Sequence, residues 1–335
     1  MSLLPFARLP LLAQLEIIRY AEFPDLFRLS TCSKKMARII RLANISFQKF
    51  GIMMYRDHVL FNFQFPNTKC KYKIAVDWDF REWMSENRLF MRESMDSSGN
   101  QWKLDIRVRE NEFHSVAREI LSFLLQLFKR TELRYLVGEP SDITKNMVKN
   151  IVKPHFSTVQ QLICAQYEGS EPLIRDQFEW VLDCMRVTEQ FTSQCQVNTE
   201  VPYCKGFQAD VVMITHPEWV GLNSILNSST KHFIFKNDFP SSQFMNLILK
   251  AWISKENLIN LEDFIAVVDD GLSIPSFYEN QAMEGIQEAI LTPVEQNHLA
   301  SLEIEANDSM KFIRRVDGRL GSLEVLEFSV VFHVV

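Results

Sequence analysis

The chain has 335 residues, of which 47% are hydrophobic and 26 are phenylalanine, enough apolar mass for two or three folded domains. Its net charge is -6, and its Lys and Arg residues are dispersed rather than gathered in one stripe, which argues against nucleic acid as a partner. No apolar run approaches a membrane span and the first ten residues lack the pattern of a secretory signal, so no membrane partner is expected and the expected location is cytoplasmic and/or nuclear.

The first forty residues predict three short helices. Pro10 suits a first helical position, where its fixed φ fits and its missing N–H costs nothing, and Leu11, Leu12, Leu15 and Ile18 follow at helical spacing. Pro24 and Asp25 restart the chain, and Leu26, Phe27 and Leu29 form a second, shorter helix that ends at the polar stretch 30–33. Ser33 is the N-cap of a third, in which Met36, Ile39, Ile40 and Ala43 take one face and Lys34, Lys35, Arg38 and Arg41 the other. Three helices this short cannot bury all of these apolar side chains among themselves, so the segment calls for a partner surface.

These segments resemble an F-box: Phe6 with Leu9-Pro10-Leu11-Leu12, then Glu16-Ile17-Ile18, then Asp25-Leu26-Phe27-Arg28-Leu29, then Cys32-Ser33-Lys34-Lys35. The resemblance covers 1–48 and departs from the family at 21–25, where a Leu-Asp-Pro-Glu-like stretch is common. It implies docking on the Skp-type adaptor, and through it on the cullin, of a ubiquitin ligase. The residues matching the docking face are Leu9, Pro10, Leu11, Ile17, Ile18, Leu26 and Leu29.

Residues 49–335 read as one further domain, with 49–130 a subregion of strands followed by a long helix. Val59, Phe61, Phe63 and Phe65 alternate with polar or small neighbours, as do Ile74, Val76 and Trp78, and again Trp102, Leu104, Ile106 and Val108. The polar stretch 93–100 is the expected turn before the last of these strands, and 114–129 the amphipathic helix after it. Strands are then expected at 133–137, 159–164, 187–191, 211–215, 232–236, 261–267, 300–305 and 323–330, with helices at 144–152, 173–185, 219–226 and 243–253 between them.

Strand starts recur at intervals of roughly 20 to 35 residues, in the range of leucine-rich-repeat units, and the alternation of strand and helix favours a parallel sheet with helices on one side. The expected fold is therefore α/β: a three-helix F-box followed by an irregular leucine-rich-repeat-like solenoid, with a closed doubly wound α/β domain as the other arrangement. The run Asp210 to Val220, and the block Phe244-Met-Asn246-Leu-Ile-Leu249-Lys250-Ala-Trp252-Ile253 with Leu261-Glu262, resemble the type-two F-box-associated domain of nematode F-box proteins. Here Lys255 stands where that family commonly has Gly, and Glu218 separates Pro217 from Trp219. Trp219 and Trp252 are expected to be core anchors.

Few residues suggest chemistry. Asp77 and Asp79 could share one side of a strand end as a metal or acid/base pair, and also suit a solvated edge. Cys195, Cys204 and His216 match no compact zinc spacing, and Asp269-Asp270-Gly271 reads as a turn. The six cysteines form no C-x-x-C pair and are expected to be buried small hydrophobes without disulfides. With ten glycines, none in a phosphate-cradling arrangement, and no nucleophile elbow or zinc-protease helix, no catalytic, cofactor-binding or metal residue is assigned.

The resemblances together imply a non-catalytic substrate-recognition subunit of a Skp–cullin–F-box ubiquitin ligase, with a target protein bound by the second domain. A non-ligase interaction scaffold is the alternative. Polar loops at 198–208, 269–279 and 306–309 are the candidates for target contact.

Overall fold

In the computed structural model the described residues are 6–66, 68–78, 89–129, 132–166, 170–237, 241–268, 277–301, 310–326 and 328–335. Contacts divide the chain into two compact units, Met1–Gln160 and Gln161–Val335.

The first unit begins with α1 (Leu11–Tyr20), α2 (Phe23–Cys32) and α3 (Lys34–Leu42). Pro10 is the N-cap of α1, one position earlier than expected, and α2 runs on through the polar stretch assigned to a link. Ser33 caps α3 as expected, its hydroxyl accepting from the Met36 amide at 3.2 Å. Then follow β1 (Lys49–Met54), β2 (His58–Gln64), β3 (Lys71–Trp78), β4 (Leu89–Met95), β5 (Gln101–Val108), α4 (Glu110–Leu127), β6 (Leu133–Gly138) and α5 (Asp142–Met147), the last continued by a π-helical turn at Val148–Val152. The strand order is β6-β1-β2-β3-β5-β4, with β6–β1 and β3–β5 parallel and the other neighbours antiparallel.

The alternation read from the sequence sets this core. Along β5 every second residue is buried, placing Trp102, Leu104, Ile106 and Val108 inside, and β2 buries Val59, Phe61 and Phe63 in the same way. On α4 the buried residues Phe113, Ala117, Leu121, Leu124 and Leu127 form one stripe, laid against β3 and β5. The three N-terminal helices complete the core rather than standing apart. Phe23 of α2 packs on Phe63 at 4.6 Å between ring centres, on Trp102 at 5.3 Å and on Tyr72 at 5.4 Å.

Two strands escaped the sequence pattern. In β1 the run Lys-Phe-Gly-Ile-Met-Met has no clean period, because Gly51 leaves its place on the sheet to the Tyr135 ring, which a Cβ at Gly51 would meet at 2.2 Å. β4 extends into the stretch expected to be a turn. It pairs with β5 at the sheet edge and leaves Met91 and Met95 about half exposed, so these two methionines mark no core face. The turn itself is Asp96 to Asn100, where the Asp96 carboxylate accepts from the Asn100 and Gln101 amides at 2.7 and 3.0 Å.

β7 (Thr158–Cys164) spans the division between the units. The second unit contains β8 (Leu173–Ile174), α6 (Arg175–Cys184), β9 (Arg186–Ser193), β10 (Val197–Asn198), β11 (Val211–Ile214), α7 (Leu222–Leu226), β12 (His232–Lys236), α8 (Ser242–Ser254), β13 (Asp263–Val267), α9 (Glu279–Ala282), α10 (Pro293–Ser301), β14 (Met310–Arg314), β15 (Leu320–Val325) and β16 (Ser329–Val334). Strands β9, β11, β12 and β13 lie side by side, parallel and in chain order. The sheet then turns antiparallel through β16, β15 and β14, so it is mixed rather than parallel throughout.

Register explains its core. Phe191, Val212, Phe233, Phe264, Phe332 and Leu323 are successive partners across six strands, and each is at most 1% exposed. Trp252 of α8 meets Phe332 edge to face at 5.0 Å, and Phe178 of α6 meets Trp219 at 4.5 Å, so both tryptophans are core anchors.

Two expectations in this unit are corrected. The strand expected at 300–305 begins inside α10, whose start is a capping box: the Thr292 amide and hydroxyl donate to the Glu295 carboxylate, each at 2.8 Å, with Pro293 in the first turn. The remaining residues, 302–305, lie outside the described ones. The strand expected at 323–330 is instead the inner part of a hairpin, in which Val325 of β15 faces Val330 of β16.

Candidate docking site

Each helix of the N-terminal segment has one side committed to the first unit. On α1 the inward residues are Gln14 and Ile18, and the Gln14 amide folds back to donate to the Leu9 carbonyl at 2.7 Å, holding the Leu9-Pro10 entry into the helix. On α2 they are Phe23, Pro24, Leu26 and Ser30, and on α3 Ile39 and Ile40.

Several further apolar side chains of α1 are exposed, around the Glu16–Arg19 ion pair on its outward side. Leu11 is 50% exposed, Leu12 78%, Ile17 47% and Tyr20 86%, and Pro10 is exposed at the helix start. Leu42 at the end of α3 adds a further exposed side chain. Among the described residues nothing covers these exposed apolar side chains.

The seven expected docking residues therefore separate. Pro10, Leu11 and Ile17 face solvent, and Leu9 and Leu29 are half-buried. Ile18 and Leu26, at 0% and 1% exposure, are core residues of the first unit. Leu12 and Tyr20, outside the expected set, are more exposed than Leu11 or Ile17. They stand eight residues apart on the side of α1 away from Gln14 and Ile18, in one row with Glu16 between them.

The residues weighed for chemistry do not converge. Burial pushes the Asp77 carboxyl up, against the opposing pull of His58, and Asp79 lies outside the described residues. Among the described residues no group of three His, Cys, Asp or Glu could hold a metal. Cys164 and Cys195 are buried, but Cys32 and Cys204 are exposed and Cys70 and Cys184 intermediate, which corrects the expectation of six buried thiols. A carboxylate does bridge two imidazoles: Asp263 accepts from His232 Nδ1 at 2.6 Å and from His333 Nδ1, tying β12, β13 and β16 together at one end. The turn at 269–271 and the loop at 306–309 lie outside the described residues. The loop at 198–208 is only partly a solvent loop, since Tyr203 and Phe207 are buried while Lys205 and Gln208 are exposed.

Residues 6–48 match the F-box domain family, the span that carries the exposed apolar side chains of α1. The chain therefore contains an F-box domain, the module by which substrate adaptors of Skp–cullin–F-box ubiquitin ligases bind the Skp-type adaptor, and proteins that carry it are in general adaptors rather than enzymes. No curated protein and no solved structure matches the chain. Among the described residues no helix is long and apolar enough to cross a membrane.

Proposed function

We propose that this chain is the substrate-recognition subunit of a Skp–cullin–F-box ubiquitin ligase, working in the cytoplasm and/or nucleus. The F-box holds the adaptor, and the second unit captures a target protein. The observation that carries the reading is the outer side of α1, where Pro10, Leu11, Leu12, Ile17 and Tyr20 are exposed on a helix whose inner side is already packed. The chain-ordered parallel strands β9, β11, β12 and β13 and the blocks at 210–220 and 244–253 support reading the second unit as a repeat-like, F-box-associated target domain.

The mechanism needs no reacting side chain. Tethering a target beside the ubiquitin-conjugating enzyme raises its effective concentration, and that alone supplies rate. Each apolar anchor buried on the adaptor contributes about 1.5–3 kcal/mol, so losing two weakens binding by roughly a hundredfold or more. Capture on an immobilised Skp-type adaptor tests this. The wild-type chain is retained, and the Leu9→Ala, Pro10→Ala double variant is lost from the column while its thermal unfolding stays cooperative. Retention of that variant at wild-type level would overturn the assignment of this side of the F-box.

A further inference from the structure

The second unit holds a cavity of about 890 Å³ that the adaptor face does not use. Met185 at the end of α6 and Arg186 and Val187 at the start of β9 form one wall; the loop from Tyr203 to Ala209 forms another. The loop wall is held in place. The Phe207 amide donates to Ser228 Oγ at 2.8 Å, the Ser229 amide donates to the Phe207 carbonyl at 3.1 Å, and the Ser224 hydroxyl donates to the Tyr203 carbonyl. At Gly206 a Cβ would lie 2.0 Å from the Asn227 carbonyl oxygen, so the two segments meet as closely as backbone allows.

Its position and charge indicate what it receives. Ala209, Arg186 and Ser229 line it just before β11, at the start of β9 and just before β12, which puts the cavity at the N-terminal ends of the parallel strands. Cofactor and small-substrate sites of parallel sheets lie at the opposite, carboxyl ends. In a chain of net charge -6, this opening carries Arg186 and Lys205 against Asp183. Arg186 is exposed and has no ion-pair partner among the described residues, while Lys205 pairs with Asp183 at 2.5 Å with both side chains at least half exposed. An exposed pair of this kind exchanges partners at little cost.

We infer that this cavity binds an acidic peptide segment of the captured protein, one carboxylate on Arg186 and a second replacing Asp183 on Lys205. The volume suits a ligand the size of a few residues. The inference rests on the second unit being the target-binding part of a ligase receptor.

Fluorescence anisotropy with the full chain tests it, using a dye-labelled heptapeptide of alternating Glu and Phe and its twin with Lys in place of Glu. The Glu probe binds saturably and about tenfold more tightly than the Lys probe, and Arg186→Glu weakens it on the order of tenfold without shifting the melting temperature. Equal affinity for the two probes, or a preference that survives Arg186→Glu, would overturn the inference. So would displacement of the Glu probe by free glutamate at concentrations comparable to unlabelled peptide, which would assign the cavity to small anions. Adaptor capture on the same preparations separates the two claims. Peptide preference without adaptor binding removes the ligase reading alone, and adaptor binding without peptide preference removes the cavity assignment alone.

Discussion

Phe23 shows how one side chain joins the F-box to the rest of its unit. It is fully buried and its ring lies within 6.1 Å of Phe63, Phe65, Tyr72, Trp102 and Phe128, drawn from three strands and the end of α4. Phe23→Ala removes a large buried ring and leaves a cavity among stiff neighbours, so urea unfolding should show a loss of about 3–5 kcal/mol. Lys255 is the opposite case. It ends α8 in the left-handed region, φ 62°, where a side chain is strained, and its ion pair with Asp317, at 3.3 Å, is part-exposed. Lys255→Gly should therefore stabilise the second unit by about 0.5–1 kcal/mol, and a lowered unfolding midpoint would contradict this account of the cap.

At the scale of elements, α10 shows how charge fixes a helix start. Glu295 accepts from Arg314 at 2.6 Å and from Thr292, and these bonds, Arg314 first, hold its carboxyl down to about 2 from an ordinary 4.5. A carboxyl lowered on folding gives stability that is complete above its unfolded value and is lost as pH falls through the folded one. The Glu295 contribution should thus be constant from pH 7 to about 5 and be lost between about 4.5 and 2, and thermal melts of Arg314→Ala against wild type over that range should show this part of the acid fall reduced. The Thr-Pro-Val-Glu signature of this start was present in the sequence, but the apolar residues after Ala300 read more strongly as a strand.

The same competition explains what else could be read. Stripes on α3 and α4 and alternation along β2, β3 and β5 are strong because one period dominates each, and these elements were legible. β1 was hidden by Gly51, whose place is taken by a ring from another strand, and β4 by methionines that face solvent. In α1 and α2 apolar residues are spread around the helix, so spacing alone did not show which of them stay in. Ile18 and Leu26 went to the core, and Leu12 and Tyr20 to the surface.

For the whole molecule, the F-box family match ends at residue 48, while the compact unit that contains it runs to Gln160. Removing the first 48 residues would strip Phe23, Ile39, Ile40 and Ala43, all at most 5% exposed, from a core shared with β2, β3 and α4. Hydrogen exchange should show the amides of β2, β3 and β5 losing protection in such a truncation, so a failed adaptor capture by it would report unfolding as much as a missing interface. Substitutions on exposed positions avoid that ambiguity.

The most direct measurement is therefore isothermal titration of a Skp-type adaptor into the full chain and into Leu12→Asp and Ile17→Asp variants, each with a thermal melt beside it. Both positions are exposed, so the melts should match wild type while adaptor affinity falls by roughly a hundredfold or more. Unchanged affinity in both variants, with unchanged melts, would show that the outer side of α1 is not the docking surface and would contradict the account.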